Sequence, residues 1–435
     1  MTALYASLRP RAGRRLLFAA FLLAALALCF SVSSPASADA PDTLTAFTAV
    51  RSGEGVTITG YTGPGGELTI PASLAGRPVT GIGQEAFCGC ESLTAVIIPE
   101  GVTSIGRSAF YDCVNLTSVT LPESLTEIGI DAFARCAMTE LTIPGGVTRV
   151  GTEAFWRCAS LRAVTFSKGV ECIGARAFLG CSSLEAISLP PSLRSLEGNP
   201  FQTCLSLVSI TLDAENRSFL VRDGVLYSGD GRILHVYPGG RRDARFTIPA
   251  GVAAIGDSAF QDCAALRSVT FPEGLTEIGG YAFQGCGLRA VMLPAGLTEI
   301  GSHAFSYCAA LRSLRFREGV AQIGERAFAD CDSLRAVTLP SGLSEIAPWL
   351  FEDCDGLRAV IIPEGVTGIG DCAFFGCDSL RTVTLPRSLK EIRFDVFFAC
   401  FQLSDVYYNG PESLWDEIRI DSKNDSLLRA QRHSG

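Results

Sequence analysis

Apolar and polar residues alternate in short runs that return at nearly constant distances along the chain. In one such run Val119 and Leu121 are apolar while Ser118 and Thr120 are polar. This alternation predicts a short strand with one buried face. Pro122 ends it, because proline has no N–H to give to a ladder. Leu125 and Ile128 return the chain to an apolar interior as a second short extended piece, and Gly129 permits a sharp corner. Ala132, Phe133 and Cys136 then have the spacing of about one helical turn.

The same order of residue types recurs with its Phe at 87, 110, 133, 155, 178 and 201, and again at 260, 283, 305, 328, 351, 374 and 397. Neighbouring Phe residues are 22 or 23 apart, except for the step of 59 from Phe201 to Phe260. Periods of this size predict a solenoid of about thirteen coils, built from short parallel strands and short helical turns, with each coil touching only its neighbours. The expected superhelix is right-handed. The long step leaves 36 extra residues after one normal coil of 23. Within residues 213–245, Gly224–Tyr227 and Arg232–Tyr237 flank Ser228-Gly229-Asp230-Gly231, which predicts a hairpin that either projects or splints two stacks together. Residues 39–80 read as an N-terminal cap, 81–212 and 246–400 as two repeat blocks, and 401–435 as a closing cap and tail.

Residues 1–38 read as a signal peptide. Arg9 to Arg15 form a basic region, Leu16 to Phe30 an apolar one, and Ala36-Ser37-Ala38 a cleavage site. The expectation is an exported chain, secreted or on the cell surface, with no membrane span after cleavage. Removing that segment takes away four arginines and no acid, so the charge of −9 becomes −13. An acidic surface argues against general nucleic-acid binding.

Export makes the 17 cysteines resemble a disulfide framework. Thirteen of them, from Cys90 to Cys400, lie three residues after a repeat Phe. Stacked coils would set that column about 4.8 Å apart with parallel Cβ directions, whereas a disulfide needs Cβ atoms about 3.5–4.5 Å apart. Buried free thiols acting as small apolar fillers are the better reading. Single cysteines at this spacing also lack the paired grouping of a zinc site.

The unit from Ala109 to Gly129, Ala-Phe-x-x-Cys-x-x-Leu-x-x-Val-x-Leu-Pro-x-x-Leu-x-x-Ile-Gly, resembles the BspA-type leucine-rich repeat family over about residues 56–418. Val221–Tyr227, Tyr237-Pro238-Gly239 and Val406–Gly410 resemble further segments of such proteins. The resemblance implies a leucine-rich repeat solenoid on a bacterial exported or surface protein, often an adhesin, with no catalytic residues to carry over. The chain departs from the pattern at Phe166-Ser167 and Phe316-Arg317, where the strand-ending proline is missing.

No enzyme, cofactor or metal is expected. Only His235, His303 and His433 are available, and HExxH, GxSxG and phosphate-loop motifs are absent. Acidic pairs such as Asp330 with Asp332 and Asp353 with Asp355 read as solvated surface. Two surface columns carry the functional expectation. One lies two residues before the Phe and varies in identity. With near neighbours it offers Tyr281, His303, Tyr307, Arg326, Trp349 and Phe375 as a binding stripe, against the plainer reading that the rings shield the coil edge. The other is Arg267, Arg289, Arg312, Arg335, Arg358 and Arg381. Asp332, Asp355 and Asp378, three residues before the last three, would neutralise it; the other reading is anion or glycan contact. The expected partner is an extracellular protein or glycan, as in adhesion. A structural component that self-associates is the alternative.

Overall fold

The computed structural model describes residues 44–435; the expected signal peptide lies outside the described residues. Each coil has three sides. Two-residue strands such as Ser104–Ile105, Glu127–Ile128 and Arg149–Val150 pair in parallel up one side. Strands of three to five residues, such as Leu93–Ile97 and Ser118–Thr120, form the second. The third is the turn segment bearing the Phe.

That third side is not a regular helical turn. It is a run of overlapping i→i+3 turns, with Tyr111 N donating to Ser108 O and Cys113 N to Phe110 O. The alternate N–H groups of Ser108, Phe110 and Asp112 donate instead to the next coil, at Ile130, Ala132 and Ala134. This arrangement places the residues two before and two after the Phe in the left-handed region, for example Ser108 at φ 52° and Asp112 at φ 61°. Gly and Asp are frequent at the second of these positions, as at Gly89, Asp112, Gly180, Asp262, Gly285, Asp330, Asp353 and Gly376. Gly has no Cβ to clash there and Asp is better tolerated than most side chains. The acids at 330 and 353 thus have a backbone role as well as a solvated one.

The Phe rings form the spine of the interior. Phe110 and Phe133 stack at 5.0 Å and 2°, and Phe305 lies between Phe283 at 5.1 Å and Phe328 at 5.4 Å. The cysteines next to them are more than apolar fillers. All sixteen described cysteines are free thiols, and eleven column members donate to the carbonyl of the Phe one coil earlier, as Cys113 does to Phe87 O at 3.1 Å and Cys308 to Phe283 O at 3.2 Å.

The solenoid has about sixteen turns rather than thirteen. The additional turns carry no repeat Phe: Gly55–Tyr61 at the start, Ile233–Val236 in the insert and Arg419–Ile420 near the end all join the short-strand side. Tyr61 packs on Phe87 at 5.3 Å and Tyr237 stacks on Phe260 at 4.9 Å, so tyrosine takes the place of Phe in two of them.

The insert is a three-stranded meander, Phe219–Arg222, Val225–Ser228 and Ile233–Val236, and not a single hairpin. Its first turn is Asp223-Gly224, both at positive φ, the strong two-residue hairpin signal. The meander is a wall between two cores. Leu226 and Val236 belong to the first, and Val225, Tyr227, Leu234 and Tyr237 to the second. Ile233 and Leu234 then pair in parallel with Ala254 and Ile255. At this break the N–H of Phe201 loses its partner coil, and Asn199 Oδ1 accepts it at 2.9 Å while Asn199 Nδ2 donates to Ser258 O at 2.8 Å across the wall. Asn424 accepts from Phe397 N in the same way at the far end, at 3.0 Å.

Candidate binding surface

The stripe residues two before the Phe are held rigidly. Tyr281, His303, Arg326 and Trp349 have φ between 52° and 57°, and the N–H groups of Tyr281, His303 and Trp349 donate to the next coil at 2.9 Å. The structure brings these residues together in pairs rather than as one continuous surface. The rings of Tyr281 and His303 stack at 4.7 Å and 7°. The Arg326 guanidinium lies 4.6 Å over the Trp349 ring and makes ion pairs with Glu352 at 2.8 Å and Glu325 at 3.2 Å. Burial, and then the Arg326 charge, hold the His303 imidazole below its ordinary pKa. Arg326 and Trp349 are thus largely engaged within the protein, whereas Tyr281 is 38% and Tyr307 51% exposed.

Phe375 belongs to a separate aromatic group. It stacks on Phe398 at 5.4 Å, and Lys423 lies 4.7 Å over Phe394 and 5.8 Å over Phe398. Phe401, on the same coil, is 80% exposed. The step of 23 from Phe375 to Phe398 is visible in the sequence, but Phe401 sits at a position with no repeat identity.

The six arginines of the second column are all exposed. The expected neutralisation does not occur: among the described residues none of the six makes an ion pair. The three aspartates lie against one another instead. Burial, and then the Asp355 charge, push Asp332 up; burial, and then Asp378, push Asp355 up. Each column stacks on its own kind from coil to coil. Asp330 is pushed up to about 6, first by burial and then by Asp353.

A shallow groove of about 600 Å³ opens on the longer-strand side, bordered by Arg312, Arg315, Arg317 and Arg335. It coincides with Phe316-Arg317, where the usual Leu-Pro is replaced. Phe316 tilts edge-on to Phe328 at 5.9 Å, and Arg317 pairs with Glu273 at 2.9 Å. The outward positions of these strands escaped the sequence reading. Most hold Thr, as at Thr120, Thr270, Thr338 and Thr384, but Met292, Arg315, Ile361 and Tyr407 break the series and are exposed. Comparing the polar strand positions from unit to unit would have revealed them.

Among the described residues no group of three or more His, Cys, Asp or Glu could hold a metal ion, and no helix is long and apolar enough to cross a membrane. Repeated coils with a dictated interior and a variable exterior define a leucine-rich repeat solenoid. The chain belongs to the BspA type leucine rich repeat region family, whose model matches six copies over residues 80–208, 244–358 and 350–415. A leucine rich cell surface protein from Faecalibacterium prausnitzii is 30% identical, with 89% of this chain and 98% of that one covered and a TM-score of 0.54. The pneumococcal vaccine antigen PcpA has the same fold, at 20% identity, 86% and 96% coverage and a TM-score of 0.65. So does a leucine-rich repeat protein from Eubacterium ventriosum, at 22% identity, 89% and 93% coverage and a TM-score of 0.57. No curated protein matches the chain.

Proposed function

We propose that the protein is exported and binds an extracellular protein or glycan through the exterior of its second stack, in adhesion, without catalysing a reaction. The observation that carries this reading is the set of large rings left exposed there: Tyr281, Tyr307, Phe394, Phe398 and Phe401. The interior does not require them, and exposed aromatic residues on a rigid frame are what binding hot spots are made of. The likeness to a cell surface protein supports the location.

The test is a screen of the purified protein on arrays of extracellular-matrix proteins and glycans, alongside Tyr281→Ala with Tyr307→Ala and, separately, Phe398→Ser with Phe401→Ser. Saturable binding lost in one pair, with thermal stability kept, supports the reading and locates the site. The strong exposure of Phe401 on the last Phe-bearing coil favours a second reading, a structural component that self-associates. Sedimentation showing concentration-dependent assembly that Phe401→Ser abolishes, with no array ligand, would establish that reading in place of the first.

A further inference from the structure

We infer that the arginine column is a seat for a linear acidic polysaccharide, centred on Arg267, Arg289, Arg312 and Arg315. This deepens the binding reading above, on which it rests, but places the contact on a different side of the coil from the exposed rings.

The fold does not require arginine here. The equivalent positions of the first stack are Thr94, Thr117, Thr139, Arg162, Glu185 and Val208, so the coil accepts a hydroxyl, either charge or an aliphatic group. Six consecutive coils of the second stack nonetheless carry Arg, exposed and without an ion-pair partner among the described residues. Their backbones are tied coil to coil, with Arg289 N donating to Arg267 O and Arg312 N to Arg289 O. The result is a fixed line of positive charge, one step of about 4.8 Å per coil, on a protein of net charge −9.

The flanking charges define where along that line a ligand lies. Three residues before each arginine stand Ala264, Cys286 and Ala309 in the first three cases, and Asp332, Asp355 and Asp378 in the last three. The carboxylates run beside Arg335, Arg358 and Arg381 and oppose an anion there. The positive potential is therefore greatest from Arg267 to Arg312, where the groove adds Arg315 and Arg317. Glu318 is the acid in that groove, and Glu273 already engages Arg317.

Charge spacing and surface chemistry select the polymer. Duplex DNA carries a phosphate on each strand about every 3.4 Å of its axis, denser than the rungs of this column, and a single strand needs flat rings for its bases to stack on. The strand positions beside the first four arginines offer Ser268, Ala290, Ser313 and Ala336 instead. Small and hydroxyl-bearing residues suit a sugar chain whose acidic groups recur at a wider, regular step, with guanidinium groups holding carboxylates or sulfates by paired N–H donors.

The test uses the full chain purified with its fold intact, with polygalacturonate and heparin fragments of increasing length as probes and an oligo-dT strand for comparison, at several salt concentrations. Binding should tighten with fragment length and weaken linearly in log–log terms with salt. Arg289→Gln with Arg312→Gln should lower affinity about tenfold and flatten the salt dependence, whereas Arg358→Gln with Arg381→Gln should change it less than threefold. Binding of the Tyr281→Ala with Tyr307→Ala protein on the matrix-protein and glycan arrays reports the aromatic site by itself, so failure there and failure of the arginine column are distinguishable. No saturable binding of either polysaccharide at low salt, equal effects of the two arginine pairs, or tighter binding of oligo-dT would each overturn it.

Discussion

The thiol column makes the protein sensitive to alkali in a calculable way. Burial pushes Cys158, Cys204, Cys308 and Cys400 from the ordinary 9.0 up to about 12. In the unfolded chain these thiols ionise near pH 9; in the folded chain they keep their protons. Above pH 9 the unfolded state therefore binds fewer protons than the folded one, and stability falls as pH rises until the folded pKa is reached. At pH 10 each thiol contributes a loss of about 1.4 kcal/mol, and the four together about 5 kcal/mol relative to pH 8. Other buried column members, Cys181, Cys331 and Cys377 among them, are raised in the same direction and add to the loss.

Urea denaturation under a reducing agent, at half-unit steps from pH 8 to pH 10, measures this directly. Cys308→Ala supplies the control: its stability at pH 8 falls by the lost bond to Phe283 O and the small cavity, but its further decline to pH 10 should be about 1.4 kcal/mol shallower than that of the parent. A flat profile from pH 8 to pH 10, or a variant as steep as the parent, would refute the argument that these thiols are buried and protonated.

Two further perturbations address the interior. Phe305→Ala empties a fully buried position stacked on both sides, and should cost about 3–5 kcal/mol by urea denaturation; Phe305→Leu refills much of the volume without a ring and should cost less but still measurably, and a leucine variant as stable as the parent would argue against ring stacking as the spine. Asn199→Ala leaves the Phe201 N–H without its acceptor and breaks the bond to Ser258 O, which keeps Gln261 N as a donor, and should cost about 1–3 kcal/mol. Calorimetry should then show the two stacks melting further apart in temperature, and a single unchanged transition would count against Asn199 as their link.

The coil was legible because each unit places Phe, Cys and Leu in the same surroundings, so one pattern is read many times over. Where a different residue meets the same need, the pattern hides the turn. Tyr61 and Tyr237 occupy the ring column, and Asn199 and Asn424 occupy the place of an absent neighbouring coil. The first hairpin of the insert was present in the sequence as Asp223-Gly224 but was eclipsed by the glycine-rich turn at 228–231. The left-handed positions were signalled by Gly and Asp two residues after the Phe. The pairing of surface groups was not legible. Spacing put Asp355 within reach of Arg358, but the direction in which a side chain leaves a turn depends on backbone conformation and on its neighbours. Here the acids face acids across coils, and Arg326 found Glu352 and Trp349.

That segregation bears on why a repeat protein would keep the arginine column. A solenoid copies its backbone geometry faithfully, so any charge repeated in sequence becomes a line of like charges about one strand spacing apart. Water and salt weaken the repulsion along such a line without removing it. The aspartates three residues before the last three arginines do not form ion pairs with them, and the first three have no such acid. The repulsion is therefore left for solvent ions or a bound polyanion to relieve. A ligand that relieves strain present only in the folded stack binds that state in preference to the unfolded chain, and by linkage it stabilises the second stack in proportion to the logarithm of its concentration above Kd.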